Sequence, residues 1–226
     1  VTSSLAVVAG LAAAAAGIPA AAVACSVGSE GPVRFPRRWW KGRPATRGII
    51  VAVSAIAGLS AGLVWVRVPP SPARLAFWLF AVVGVVLAII DLRRRRLPHS
   101  LTGSLWIACL GSFVVDALVT GEAHRLVVAV VTGVFVAVLM LGVALGFPGQ
   151  LGLGDVGLAG TIATSLGWLS PATAALGFAA GCAVQMMVVI GMTWRARGQG
   201  VKLPLGPALL AGWLLAITTS GALGLS

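Results

Sequence analysis

Eight apolar runs joined by short polar segments decide what this chain can fold into. They cover roughly residues 3–25, 49–66, 74–90, 101–119, 126–147, 156–169, 172–193 and 204–224. A run of about 18 apolar residues is long enough to cross the hydrocarbon of a bilayer as a helix. Apolar residues make up 59% of the 226 positions, and the mean hydropathy is +1.04. The longest polar stretch, 26–48, is too short to bury a core of its own. The chain is therefore expected to be an all-α, polytopic membrane bundle of about eight transmembrane helices. Residues 1–48 are read as a first helix plus a basic cytoplasmic loop, and residues 49–226 as the membrane-embedded core. The first run, Leu5 to Cys25, lacks a basic leading region and a clear small-residue cleavage site, so a retained helix is expected. Segment six is the weak crossing, with only about 14 apolar residues between Asp155 and Pro171.

The net charge of +11 comes from 16 basic and five acidic residues. In a soluble domain such a balance would point to nucleic acid, but here the cations sit in joints beside apolar spans. They read as topology signals and as contacts for anionic lipid, and no nucleic-acid partner is expected. Arg34, Arg37, Arg38, Lys41, Arg43 and Arg47 share the first joint, and Arg93 to Arg96 form a run in the third. Arg195, Arg197 and Lys202 fall on the same side if all eight segments cross. The opposite side holds only Arg67, Arg74 and Arg125. Basic residues collect on the cytoplasmic side, so both termini are expected outside. If segment six did not cross, the loop at 194–203 would face outward. The charge bias therefore favours a thin or tilted crossing there.

The acids are Glu30, Asp91, Asp116, Glu122 and Asp155. A carboxylate beside hydrocarbon is costly, which makes an intramembrane one a functional candidate. Asp91 ends the third run, and Asp155 opens the sixth within Gly152-Leu153-Gly154-Asp155. In the expected topology both lie at the cytoplasmic face. Each taken alone has a plain structural reading, as a boundary residue paired with the neighbouring arginines (Asp91) or as a helix N-cap (Asp155). Taken together they suggest a carboxyl pair, one member holding a proton while the other activates water. Gly152 and Gly154 would let another backbone approach. Pro204-Leu205-Gly206-Pro207 reads as a tight start to the last helix, or as a shaped edge able to receive substrate. Asp116 belongs to the other face, where an interfacial position or a local partner is expected. Glu30 and Glu122 read as solvated. Cys25, Cys109 and Cys182 are dispersed, and His99 and His124 fall on opposite faces, so neither a metal site nor a Cys/His pair is expected.

These residues resemble the motifs of the type IV prepilin peptidases, bacterial intramembrane aspartyl proteases with a Gly-x-Gly-Asp motif. Asp91, Leu97-Pro98-His99 and Leu101-Thr102 match the first motif in register. Gly152, Gly154, Asp155 and Leu158 match the second, and Pro204-Leu205-Gly206-Pro207 is similar to a late Pro-Phe-Gly-Pro. The resemblance spans roughly residues 74–215. It implies a peptidase of the cell membrane with Asp91 and Asp155 as the catalytic pair. Gly152, Gly154, Pro204, Gly206 and Pro207 would line the substrate, and no metal or organic cofactor is needed. The implied partner is a prepilin or pseudopilin precursor whose short leader lies in the cytoplasm. Two departures stand out. The lysine usual two positions after the second aspartate is Gly157 here, and the cysteine-paired zinc insertion of bifunctional members is missing, so no methyltransferase activity is expected. The competing readings are a small proton-coupled transporter and a catalytically inactive scaffold of a pilus system.

Overall fold

The computed structural model describes residues 2–26, 47–94, 97, 99–146, 152–196 and 205–220. The basic loop at 27–46, the joints at 147–151 and 197–204, and Arg95, Arg96 and Pro98 lie outside the described residues. Among the described residues the regular elements are eight α-helices. They are α1 (Thr2–Ser26), α2 (Arg47–Arg67), α3 (Ala73–Arg94), α4 (His99–Thr120), α5 (Ala123–Gly146), α6 (Leu153–Leu169), α7 (Pro171–Ala196) and α8 (Gly206–Ser220). The expected all-α class and the eight segments are both present.

Six helices, α1 to α5 and α7, are long and apolar enough to cross a membrane. Helix α6 has 17 residues. At 1.5 Å per residue it reaches roughly 26 Å, short of the ~30 Å hydrocarbon layer. That is the thin segment expected from the sequence, and α8, with 15 residues, is shorter still. Large apolar side chains such as Leu59, Phe135 and Met187 stand on helix surfaces with more than half of their area exposed. On helices of this composition those faces suit hydrocarbon rather than water.

The fold divides into two units, Val1–Gly121 and Glu122–Ser226. The division falls where α4 ends. Gly121 takes the left-handed backbone (φ +75°) and its N–H closes onto the Ala117 carbonyl at 2.9 Å, a glycine stop that a side chain would strain.

Within each unit, small residues bring helix backbones together. In the first, α1 lies along α2, where a Cβ on Gly58 would meet the Gly10 carbonyl and the Ala14 methyl, each at 3.1 Å. In the second, α5 crosses α6 through Gly133, Ala137, Gly160 and Thr164, spaced four apart on each helix. Helix α7 meets α8 through Gly177, Gly181 and Gly212. In hydrocarbon, apolar burial does not drive helices together, so close van der Waals packing at small residues takes over that role.

Helix α6 is enclosed nearly all round. From Gly154 to Trp168 only Asp155 and Gly157 escape burial, and α5, α7 and α8 all pack against it. Its polar side chains turn inward onto the helix itself or a neighbour. Thr161 and Thr164 bond the carbonyls four residues back, at 2.8 and 2.9 Å.

Asp116 departs from the expectation of an interfacial or locally paired acid. It is buried, 3% exposed, and its Oδ1 accepts the N–H of Ala73, 43 positions earlier, at 3.1 Å. Ser112 Oγ donates to the Pro72 carbonyl at 2.7 Å. Helix α4 therefore supplies the cap that the apolar start of α3 lacks, an acid at a helix N-terminus where the dipole favours it. Asp116→Ala is expected to lower stability by about 1–2 kcal/mol, the usual loss when a cap is removed. Thermal unfolding in detergent checks this, with Asp116→Asn, which keeps an acceptor, losing less.

Candidate active site

The first motif wraps the turn between α3 and α4. Asp91 stands in the last turn of α3 and is 2% exposed. The residue before it, Ile90, forms a buried cluster with Val86, and Ala20, Ile89 and Leu101 pack against that pair. Leu101 thus folds the start of α4 back onto the end of α3. Leu97 is buried in the connection. His99 begins α4 on the exposed side, and its carbonyl accepts the buried Thr102 hydroxyl at 3.1 Å. The motif residues are therefore structural as well as polar. Leu97, Leu101 and Thr102 are held in or against packed surroundings at the α3–α4 turn, the end of α3 where Asp91 lies. Arg93, two residues on, is exposed.

The second motif starts α6. Gly152 is the N-cap, with φ −84° and ψ 148°, and its carbonyl accepts the N–H groups of Asp155 at 3.0 Å and Val156 at 3.3 Å. Asp155, the third residue of the helix, turns its carboxylate back. Its Oδ2 accepts the Gly152 N–H at 3.2 Å. A glycine has no side chain to return that bond, so only one half of a capping box forms. The acid also faces the positive end of the helix dipole. Asp155 is half-buried, with Gly154 buried behind it and Gly152 and Gly157 exposed. A Cβ at position 152 would sit 3.3 Å from Asp155 Oδ2, closer than ordinary van der Waals contact.

The late motif starts α8. Pro204 lies outside the described residues. Gly206 is buried and Pro207 half-buried in the first turn, where the Leu209 N–H reaches the Leu205 carbonyl at 3.1 Å. Proline loses no helical bond at such a place. Helix α8 is fixed to α6, the helix of Asp155, by the Trp213 indole N–H, which donates to the Ser165 hydroxyl at 2.9 Å in a buried pair. Trp213→Phe removes the indole donor and part of the ring volume, while the Ser165 hydroxyl keeps its bond to the Ile162 carbonyl at 2.9 Å. The change is expected to cost about 1 kcal/mol in detergent unfolding. The spacing of motifs alone did not single out Ser165 and Trp213. Their signal was a polar residue facing a tryptophan in two apolar segments, which pattern reading cannot pair.

Asp91 belongs to the first unit and Asp155 to the second, each at the end of its helix that carries a motif. Among the described residues no cluster of His, Cys, Asp and Glu could hold a metal ion. Cys109 is buried against the Ala76 carbonyl, and Cys182 is exposed on α7. Glu122 is on the surface and pairs with Arg125 at 2.5 Å.

No curated protein and no solved structure matches the chain significantly. The sequence model of the Type IV leader peptidase family matches residues 78–193. That stretch holds both aspartates, the α3–α4 turn and the glycine-framed start of α6, and it covers just over half of the 226 residues. Both acids, the buried one closing α3 and the glycine-framed one opening α6, lie inside that match, and the chain belongs to the Type IV leader peptidase family.

Proposed function

We propose that the chain is an intramembrane aspartyl endopeptidase that removes the cytoplasmic leader of prepilin-like precursors, with Asp91 and Asp155 as its catalytic pair. The observation that carries this reading is the position of both acids inside the family match, at helix ends where the chain is otherwise apolar. Two carboxyls brought close share one proton, because both cannot easily ionise together. The ionised member takes a proton from water as it attacks the scissile carbonyl. The protonated member gives its proton to the carbonyl oxygen, and the leaving amine is protonated as the bond breaks. Gly152 and Gly154 would leave room for an extended peptide beside Asp155, and Pro204, Gly206 and Pro207 would line it.

The charge bias of the loops puts the arginine run and the basic loop at 26–48 in the cytoplasm, with both termini outside. The ends of α3 and α6 that carry the aspartates then meet the side where a leader lies. Residues 49–226 serve as the peptidase core of a multi-pass protein of the bacterial inner membrane, and residues 1–48 add a helix and a basic loop. The basic loops suit anionic lipid better than a basic leader.

One observation favours a second reading. Gly157, where the family usually has lysine, is exposed on the first turns of α6, and a relative without that cation could act as an inactive scaffold of a pilus system. Co-expression with a prepilin-like precursor of the same organism separates the two. A shortened precursor, cut at the cytoplasmic edge of its hydrophobic helix, supports the peptidase. An intact precursor, with assembly of the secretion system still dependent on the chain, supports the scaffold.

A further inference from the structure

A cavity of about 990 Å³ lies within the first unit, between α1, α3, α4 and the α2–α3 connection. Its wall is hydrocarbon. Leu5 and Val8 of α1, Leu75 and Trp78 of α3, and Gly111 and Val115 of α4 face it at helical spacing. The Trp78 indole N–H donates to the Ala9 carbonyl at 3.2 Å and holds the wall between α1 and α3 together.

At the rim stands a fixed cation. The Arg74 guanidinium lies 4.7 Å from the centre of the Trp65 ring. Its Nε donates to the carbonyls of Val68 at 3.0 Å and Pro69 at 3.1 Å, and its Nη2 to Val68 at 2.6 Å. These bonds aim the group without neutralising it. Among the described residues Arg74 has no acid partner, and Asp116, the buried acid at the same end of α4, spends its Oδ1 on the Ala73 N–H. The rim thus combines a positioned guanidinium, which suits the planar display of phosphate oxygens, with Trp65, a residue of the kind that sits at headgroup depth.

We propose that this cavity binds an anionic phospholipid, its phosphate on Arg74 beside Trp65 and an acyl chain along the α1–α3–α4 wall. Charge complementarity decides the occupant. A hydrophobic peptide helix would fill the wall but leave the guanidinium without a counter-charge. A zwitterionic lipid carries its own cation beside the phosphate and gains less from Arg74. The site lies at the end of the first unit formed by the α2–α3 connection, the opposite end of α2 from Arg47.

The test uses the full chain, purified in mild detergent and offered equal amounts of phosphatidylglycerol and phosphatidylcholine with matched acyl chains. Lipid retained by the intact protein is read by native mass spectrometry. Wild type is expected to keep phosphatidylglycerol about fivefold over phosphatidylcholine, the scale of one arginine–anion contact at a membrane surface. Arg74→Gln should remove that preference. Gly111→Leu, whose Cβ has no atom within 4 Å, should reduce retention of both lipids while leaving the Arg74 bonds in place, which separates a filled cavity from a misfolded rim. Equal retention of the two lipids by wild type would overturn the proposal, as would unchanged phosphatidylglycerol binding in both variants. So would crosslinking of Gly111→Cys to a precursor helix or a second copy with no lipid retained.

Discussion

Asp91→Asn and Asp155→Asn are each expected to stop leader removal, lowering the cleavage rate by roughly a thousandfold, within the span attributed to positioned acid–base groups. Asparagine nearly matches the shape of aspartate but cannot exchange the proton. The choice matters for interpretation. Asp91 is 2% exposed, so a smaller residue would open a void at the end of α3 and confuse lost chemistry with lost packing. At position 155 the amide oxygen can still accept the Gly152 N–H that now bonds the carboxylate at 3.2 Å, so the start of α6 is kept. Residues acting as one unit lose activity together. The double variant is therefore expected to be no slower than either single one. Precursor processing on gels, with detergent unfolding of each variant as a control, checks all three. Asn variants that unfold normally and still cleave at wild-type rates would remove both residues from the chemistry.

The largest stability effect is expected at Gly212, on the α7–α8 crossing. A Cβ there would fall 2.5 Å from the Gly181 nitrogen and 2.7 Å from its Cα, with the Gly177 carbonyl also in contact. All three are backbone atoms of α7, so no rotamer change can relieve the contact and the two helices must move apart. Helix α8 cannot simply follow, because Trp213, the next residue, is bonded to Ser165 of α6. Gly212→Ala is expected to cost about 1–3 kcal/mol, the usual range for overpacking, and Gly212→Leu more. Gly142→Ala is the matched control. It also lies inside an apolar helix, but its Cβ would meet no atom within 4 Å. There the higher helix propensity of alanine should leave stability unchanged or raised by up to about 1 kcal/mol. Equal behaviour of the two alanine variants in detergent unfolding would show that the α7–α8 contact is looser than described.

The sequence made the helices legible because hydrocarbon leaves the chain so little choice. Apolar runs of membrane length, broken by Gly, Pro and Arg, become helices, and the observed bounds fall close to the expected ones. The short sixth segment also stood out, because Asp155 and Pro171 fix its ends. What lies across helices did not. Asp116 looked like a leftover interfacial acid, and it caps α3 from a neighbouring helix, a pairing between residues 43 apart that periodicity cannot show. The enclosure of α6 was hidden for a related reason. Thr161, Thr164 and Ser165 share one face of it, which would read as a solvent side, yet that face is buried like the rest. The glycines were visible as a composition, yet only the structure separates Gly212, where a Cβ would press against backbone, from Gly142, where it would meet open space. At the candidate site the glycines around Asp155 were legible in the sequence, but the bond from the Gly152 N–H to the Asp155 carboxylate was not. The Arg74 rim escaped notice, because a lone arginine beside a span reads only as a topology signal.

The central claim is that Asp91 and Asp155 come together. It is tested most directly by thiol crosslinking in membranes, with cysteines at 91 and 155 and Cys25, Cys109 and Cys182 replaced by serine or alanine. A pair at Ala137 and Gly160, whose Cβ atoms would lie 3.1 Å apart, serves as the positive control. The account predicts that a mild oxidant or a short bis-thiol reagent joins 91 to 155 about as readily as the control pair. It predicts no product when 155 is paired instead with a cysteine at Leu118, toward the opposite end of α4. A control pair that crosslinks in membranes where 91 and 155 never do would contradict it.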